Sequence, residues 1–235
     1  MTRILIVGHG RMGKLVESLA GEHRCEVVGI VRRGDDIGSA PKADVAIDFS
    51  TGAAAADNLT ALGQAGTSVI IGTTGRTVPD TELRRLAEPF RIGVLASANF
   101  SVGMHVFRRT VAEAAARFAS QESYRASIHD VHHAQKKDAP SGTALMLKQT
   151  MVDAGFDREI AVTSERTGEV PGTHSVTFEG VADRVTLTHA VQDRAVFARG
   201  ALDAAQWLDG RLGWFSMDDF LEARPTWKQV LRGRE

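Results

Sequence analysis

The sequence predicts an α/β protein: a Rossmann-type doubly wound parallel sheet, joined to a second, α+β domain with a mostly antiparallel sheet. Three observations carry this. Over residues 1–100 short aliphatic runs alternate with helical stretches, the order that builds parallel strands linked by crossovers. The first aliphatic run ends in a glycine triplet, Gly8-x-Gly10-x-x-Gly13, that opens a helix. Beyond Ser123 the pattern changes to extended segments separated by glycine turns, as in an antiparallel sheet.

The elements follow in order. Residues 3–7 form a first strand, and Met12, Val16 and Leu19 recur at helical spacing behind the glycines. Gly8 permits a tight turn, Gly10 allows backbone to approach a pyrophosphate, and Gly13 lets the helix pack on the strand. Residues 26–31 are a second strand ending in Arg32-Arg33, whose forked guanidiniums suit the 2′-phosphate of NADPH better than the ribose hydroxyls of NADH. Residues 34–42 are too short and polar for a crossover helix and read as a loop. A third strand over 44–49 and an alanine-rich helix over 53–64 come next. A fourth strand over 68–71 delivers Gly72-Thr73-Thr74-Gly75 at its C-terminal edge, where such sheets bind ligands. Pro79 opens a helix over 81–88, and a fifth strand over 91–96 leads to Ser97-Ala98-Asn99-Phe100.

Ser101 caps a helix with Met104, Phe107, Val111, Ala115 and Phe118 on one face. Strands are expected over 123–128, 160–164, 175–178 and 184–191, with one helix running to about Ala154 against them. From Ala195 helical periodicity returns, and Ser216 caps a short helix over 217–222. The domains are therefore 1–100 with 195–235, for the dinucleotide, and 101–194, a second α+β unit.

Composition excludes more than it identifies. The chain of 235 residues has 43% hydrophobic and 24% charged residues, so it is neither disordered nor a membrane protein. A net charge of -1 gives no reason to expect nucleic acid, whose phosphates demand a basic excess. The single Cys25 fits a reducing cytoplasm.

The most reactive stretch is His129 to Ala144, HDVHHAQKKDAPSGTA. His132 and His133 can exchange protons near neutral pH, and Lys136 can hold an anion or assist a proton transfer. Pro140 suits a first helical turn, so the N–H groups around Ser141, Gly142 and Thr143 form a cradle for a carboxylate or phosphate. A zinc site is disfavoured because His132 and His133 are adjacent rather than spaced on one face, and no metal is expected.

These residues resemble the 4-hydroxy-tetrahydrodipicolinate (dihydrodipicolinate) reductase family over nearly the whole chain. The resemblance rests on Gly10-Arg11-Met12-Gly13, Val45 to Ser50, Ile71 to Gly75, Ala98 to Gly103 and above all His132-His133-x-x-Lys136-x-Asp138 to Ala144, continued by Ser164-x-Arg166-x-Gly168 and Gly172-x-His174. It implies NAD(P)H-dependent reduction of a cyclic, unsaturated dicarboxylate in the diaminopimelate route to lysine. His132 would be the general acid, with Lys136 able to share in the proton transfer. His133 would contact substrate, and Ser141, Gly142 and Thr143 would hold one carboxylate. Gly8, His9, Gly10, Arg11, Met12 and Gly13 would bind the cofactor, and Gly72, Thr73, Thr74, Ser97, Ala98, Asn99 and Phe100 would line its nicotinamide. The resemblance also implies that residues 101–194 bind substrate and assemble the family's homotetramer.

Three departures from the family pattern stand out. The first glycine turn is one residue shorter than is common, Arg32 replaces an acid that many members carry, and the 34–42 loop is short. Two other readings stay open on sequence alone. A nucleotide-sensing protein could keep this fold without chemistry, and another NAD(P)-dependent enzyme could act on an imino or amino acid lacking the second carboxylate.

Overall fold

In the computed structural model, which describes residues 1–223, the chain folds as β1 (Thr2–Val7), α1 (Arg11–Leu19), β2 (Cys25–Val31), β3 (Val45–Asp48), α2 (Ala55–Gln64), β4 (Ser68–Ile71), α3 (Asp80–Ala87) and β5 (Gly93–Ala96). It continues as α4 (Val102–Ala119), β6 (Arg125–His132), α5 (Gly142–Asp153), β7 (Ile160–Arg166), β8 (Thr173–Glu179), β9 (Arg184–Ala190), α6 (Ala195–Leu208), β10 (Gly213–Phe215) and α7 (Met217–Glu222). Two compact units result: residues 1–101 with the chain from Ala195 onward, and residues 102–194. The expected first domain ran to residue 235, and its last part, 224–235, lies outside the described residues.

Unit one is built on a parallel six-stranded sheet in the order β10-β5-β4-β3-β1-β2. Strand alternation divides its side chains between two faces. Leu5, Val7, Ala46, Val69 and Ile71 pack under Leu59 and Leu62 of α2 and Leu83 of α3. Ile4, Ile6, Ile47, Ile70 and Leu95 occupy the alternate positions and are fully buried, with α6 packed along β1, β3, β4 and β5 and α1 beside it. Helices on both faces make the sheet doubly wound.

The sequence pattern led to five strands, and the structure adds β10. Its three residues, Gly213-Trp214-Phe215, carry no period of their own and extend only because they pair with Gly93, Val94 and Leu95. The polar 34–42 connection is a loop as expected, with a single 3₁₀ turn over Ile37–Ser39 capped by the Asp36 carboxylate, which accepts the Gly38 N–H at 2.9 Å.

Unit two carries a mixed sheet in the order β7-β6-β8-β9. Its β6–β8 and β8–β9 pairs are antiparallel, and β6–β7 is parallel because α5 crosses over between them. Two helices cover its inner face rather than the one expected. Met104, Phe107, Val111 and Ala115 of α4 join Ala144, Leu147 and Met151 of α5 over Ile128, Val176 and Phe178. Arg158 closes the end of α4 by donating to the carbonyls of Phe118 at 2.8 Å and Ala119 at 2.9 Å, which a helix C-terminus leaves unpaired.

Phe178 is fully buried, stacked on Phe118 at 4.5 Å between ring centroids and edge-on to Phe156 at 5.8 Å. Phe178→Ala is expected to destabilise the protein by about 3–5 kcal/mol, the usual cost of emptying an aromatic core position. Urea unfolding followed by circular dichroism measures it.

Candidate active site

In unit one the C-terminal ends of β1, β3 and β4 meet around a glycine turn. Gly8 leaves β1 at φ +88°, and its N–H donates to the Val31 carbonyl of β2 at 2.9 Å, which brings Arg32 beside the turn. A side chain on Gly13 would collide with the Gly8 carbonyl, so α1 can start this close to β1 only with glycine there. At Gly10, the N-cap of α1, a Cβ would meet nothing within 4 Å. The helix start thus faces open space with its amides uncapped by any side chain, the arrangement that receives a phosphate.

Beside it, Arg11, Met12, Phe49, Ser50, Gly72 and Thr73 help line a cavity of about 390 Å³ whose wall continues through Thr74, Ala98, Asn99, Phe100 and Phe197. Met12 faces the cavity, while Val16 and Leu19, at helical spacing behind it, are buried. Phe100 is buried edge-on to Phe49 at 6.1 Å, and a side chain on Gly72 would strike the Phe49 ring. Thr73 is buried with its hydroxyl unpartnered among the described residues, an unspent group on the cavity wall. Asp48, buried under this rim, accepts from the Ser50 N–H at 2.8 Å and from Asn58 at 3.0 Å; burial raises its pKa. The open helix start, the cavity and the unspent hydroxyl fit a dinucleotide.

In unit two the sheet register does most of the work. The strand expected to stop at residue 128 continues to His132, so Ala126, Ile128, Asp130 and His132 all point inward. Asp130 pairs across the sheet with Ser164 on one side and His174 on the other, and His132 pairs with Arg166. The start of α5 lies over this corner. Pro140 is not in its first turn, as expected from sequence, but precedes the N-cap Ser141, whose hydroxyl accepts the Ala144 N–H at 3.2 Å. Ser141 is held from below, its N–H donating to Asp130 at 2.8 Å and its hydroxyl 3.2 Å from His174 Nε2. The cap thus consumes the Ser141 hydroxyl and the Ala144 amide, and leaves the exposed Gly142 and half-buried Thr143 amides at the helix mouth.

His133 opens a turn closed by the Lys136 N–H on its carbonyl at 3.1 Å, and the Lys136 ammonium reaches Asp138 at 2.7 Å. The Nδ1 atoms of His132, His133 and His174 are buried without hydrogen-bond partners among the described residues. His132 Nε2 lies against Gly172, and its ring meets that of His174 edge-on at 5.1 Å.

These environments set the charges. Burial lowers the His132 pKa below its ordinary value; Asp130, 3.7 Å from Nδ1, opposes the shift, and Lys136 and Arg166 add to it. Burial and the neighbouring His132 push His174 down to about 4, so it is neutral at pH 7. Burial alone would raise Asp130, but bonds from Arg166 and Ser141, with Ser164, more than reverse this and hold it ionised well below the usual carboxylate range. Asp130, His132 and His174 can each offer a ligand atom within 4.8 Å of the others, a grouping that the His132-His133 spacing did not reveal. Arg166 and the Ser141 amide already engage both Asp130 oxygens.

Two family models match the chain: "Dihydrodipicolinate reductase, N-terminus" over residues 2–100 and "Dihydrodipicolinate reductase, C-terminus" over residues 103–221. The chain belongs to the dihydrodipicolinate reductase family. Its relatives include the 4-hydroxy-tetrahydrodipicolinate reductases of Christiangramia forsetii, 34% identical over 93% of this chain and 97% of that protein, and of Zymomonas mobilis, 37% identical over 92% and 95%. The same fold is seen in dipicolinate-bound dihydrodipicolinate reductase from Paenisporosarcina sp. TG-14, with a TM-score of 0.76 at 23% identity over 92% of this chain and 97% of that one. The activity is that of the family, an oxidoreductase of lysine and diaminopimelate biosynthesis acting on 4-hydroxy-tetrahydrodipicolinate. The family's N-terminal domain is the part that binds NAD(P). No helix among the described residues is long and apolar enough to cross a membrane.

Of the reductase residues singled out from sequence, Arg11, Met12, Gly72, Thr73, Thr74, Ala98, Asn99 and Phe100 share the unit-one cavity. Ser97 is not on its wall, its hydroxyl accepting the Asn99 N–H at 3.1 Å, and neither is His9, which bonds Glu17 at 2.7 Å. Arg32 and Arg33 stay exposed at the end of β2. Sequence reasoning gave no role to Phe49, Ser50 and Phe197 on the cavity wall, or to Asp130, Arg166 and His174 under the helix start. The inward positions of β6 turn polar at Asp130 and His132, and nothing in the local sequence marks Phe197.

The depressed His174 pKa makes stability depend on pH. Its unfolded value of about 6.5 lies above the folded one, so the unfolded chain binds more protons and stability falls as pH drops from about 6.5 toward 4. The loss attributable to His174 is about 3 kcal/mol. Urea midpoints across that range should show a shallower slope for His174→Gln than for the unchanged protein.

Proposed function

We propose that the unit-one helix start and cavity hold a reduced dinucleotide, with NADPH preferred over NADH, and that the β6–α5 corner of unit two holds the dicarboxylate. The observation that carries this reading is the convergence of buried, unpartnered ring nitrogens, an ammonium and two uncommitted helix-start amides at that corner. Such a set supplies a cation and oriented N–H groups, which a dianion would use. Dipicolinate, which the Paenisporosarcina relative binds, has that chemistry.

In this reading Gly8, His9, Gly10, Arg11, Met12 and Gly13 form the pyrophosphate turn, and Arg32 and Arg33 read the 2′-phosphate. Gly72, Thr73, Thr74, Ser97, Ala98, Asn99 and Phe100 frame the nicotinamide. When bound, the reduced nicotinamide supplies the hydride. His132 gives a proton to the ring carbon beside the one reduced, with Lys136 able to share in that transfer. His133 contacts the substrate, and Ser141 fixes the helix so that Gly142 and Thr143 can hold one carboxylate. Negative charge from the substrate favours the protonated imidazole that burial disfavours in its absence, so binding readies the acid.

The protein further acts in the cytoplasm as a homotetramer, assembled through the helix-free face of the unit-two sheet. That face carries a ladder of paired hydroxyls, Ser175 with Thr188 at 2.9 Å and Thr177 with Thr186 at 3.1 Å. Light scattering at micromolar concentration tests the assembly.

A coupled assay that makes the substrate from pyruvate and aspartate semialdehyde, followed by loss of NADPH absorbance, tests the function. His132→Ala should lower turnover by about 10²–10⁴, the scale of a general acid; an unchanged rate removes that role. Because the acid must be protonated, kcat/KM should fall as pH rises through a midpoint below about 6.5. Replacing Arg32 and Arg33 together by alanine should raise KM for NADPH far more than for NADH, and equal effects would mean that they do not read the phosphate.

A further inference from the structure

The Lys136 ammonium is already engaged. It lies 2.7 and 2.9 Å from the two oxygens of the Asp138 carboxylate, a bidentate pair formed by residues separated only by Lys137. Lys136 chiefly holds the Asp138 carboxyl below its usual range. A carboxylate of the protein itself therefore rests on the cation that the reading above places at the substrate corner.

We infer that Asp138 is a specificity-determining residue whose carboxylate occupies the Lys136 ammonium in the substrate-free protein and yields it to the carboxylate of the substrate. The inference rests on the assignment of Lys136 to substrate binding.

Three features make the exchange feasible. The Asp138 side chain is 54% exposed, so once released it returns to water rather than being stranded. Its backbone is held independently, the carbonyl accepting from Arg166 Nη2 at 2.5 Å, so the side chain can swing without unfolding the loop. Asp130, by contrast, is wholly buried and bound to Arg166 and Ser141, and has nowhere to go. The exchange also discriminates. A ligand with its own carboxylate restores the ion pair it breaks, whereas a ligand without one leaves Lys136 unpaired, so selection comes from a penalty on the wrong ligand as well as from attraction to the right one.

Titrating dipicolinate into the full-length protein by calorimetry tests this. Asp138→Asn and Asp138→Ala should each lower the dipicolinate Kd by about 2- to 5-fold, the scale of removing a half-exposed competing ion pair. Asp138→Glu, which keeps a competitor, should stay nearer the unchanged protein. An unchanged or raised Kd in both the Asn and Ala variants, with melting temperatures matching the unchanged protein, overturns the inference and would make Asp138 a support for Lys136. Lys136→Ala separates the two layers. If it weakens dipicolinate binding while the Asp138 variants gain nothing, only the inference about Asp138 fails; if it binds dipicolinate as well as the unchanged protein, the cradle reading fails with it.

Discussion

A carboxylate with no access to solvent ties the unit-two corner together. Asp130 accepts the Ser141 N–H at 2.8 Å and the Arg166 guanidinium at 3.0 Å, and lies 3.7 Å from the His132 ring. A buried charge is costly unless paired and hydrogen-bonded, and here each oxygen has a partner. Because those partners come from the start of α5 and the end of β7, meeting the needs of one carboxylate aligns the helix mouth, the inner strand and the His132 ring. The Asp130–Arg166 pair is thus a constraint on geometry more than a source of stability, and it keeps Gly142 and Thr143 facing outward.

The unit-one site is organised differently. The dinucleotide turn is aligned by shape. Gly8 in a left-handed conformation and Gly13 under the Gly8 carbonyl allow α1 to begin almost on top of β1, which leaves its first amides facing open space. Phe49 and Phe100 then form an apolar wall beside polar groups on Thr73 and Asn99, the usual mix of a cofactor site.

Much of this was legible in the chain. Aliphatic runs broken by glycine or by helical periodicity located five of the six parallel strands, because a strand covered on both faces must be hydrophobic throughout. The density of titratable groups in 129–144 marked the reactive corner, since such groups rarely collect without a ligand. What could not be read locally were elements without a period of their own. β10 exists only as the partner of β5, and the inward run of β6 through Asp130 and His132 looks polar until its neighbours are known.

The sequence by itself determined the fold class, the glycine turn, the histidine–lysine stretch and the helix that follows it, because each depends on contacts within a few residues. The tertiary structure decided which groups meet. It set Ser164 and His174 on either side of Asp130, joined Arg166 to it, returned Phe197 to the cavity wall, spent the Ser141 hydroxyl on a cap and placed the Asp138 carboxylate on Lys136. Most of those pairings span dozens of residues and follow from strand register and helix placement, which short-range pattern does not encode.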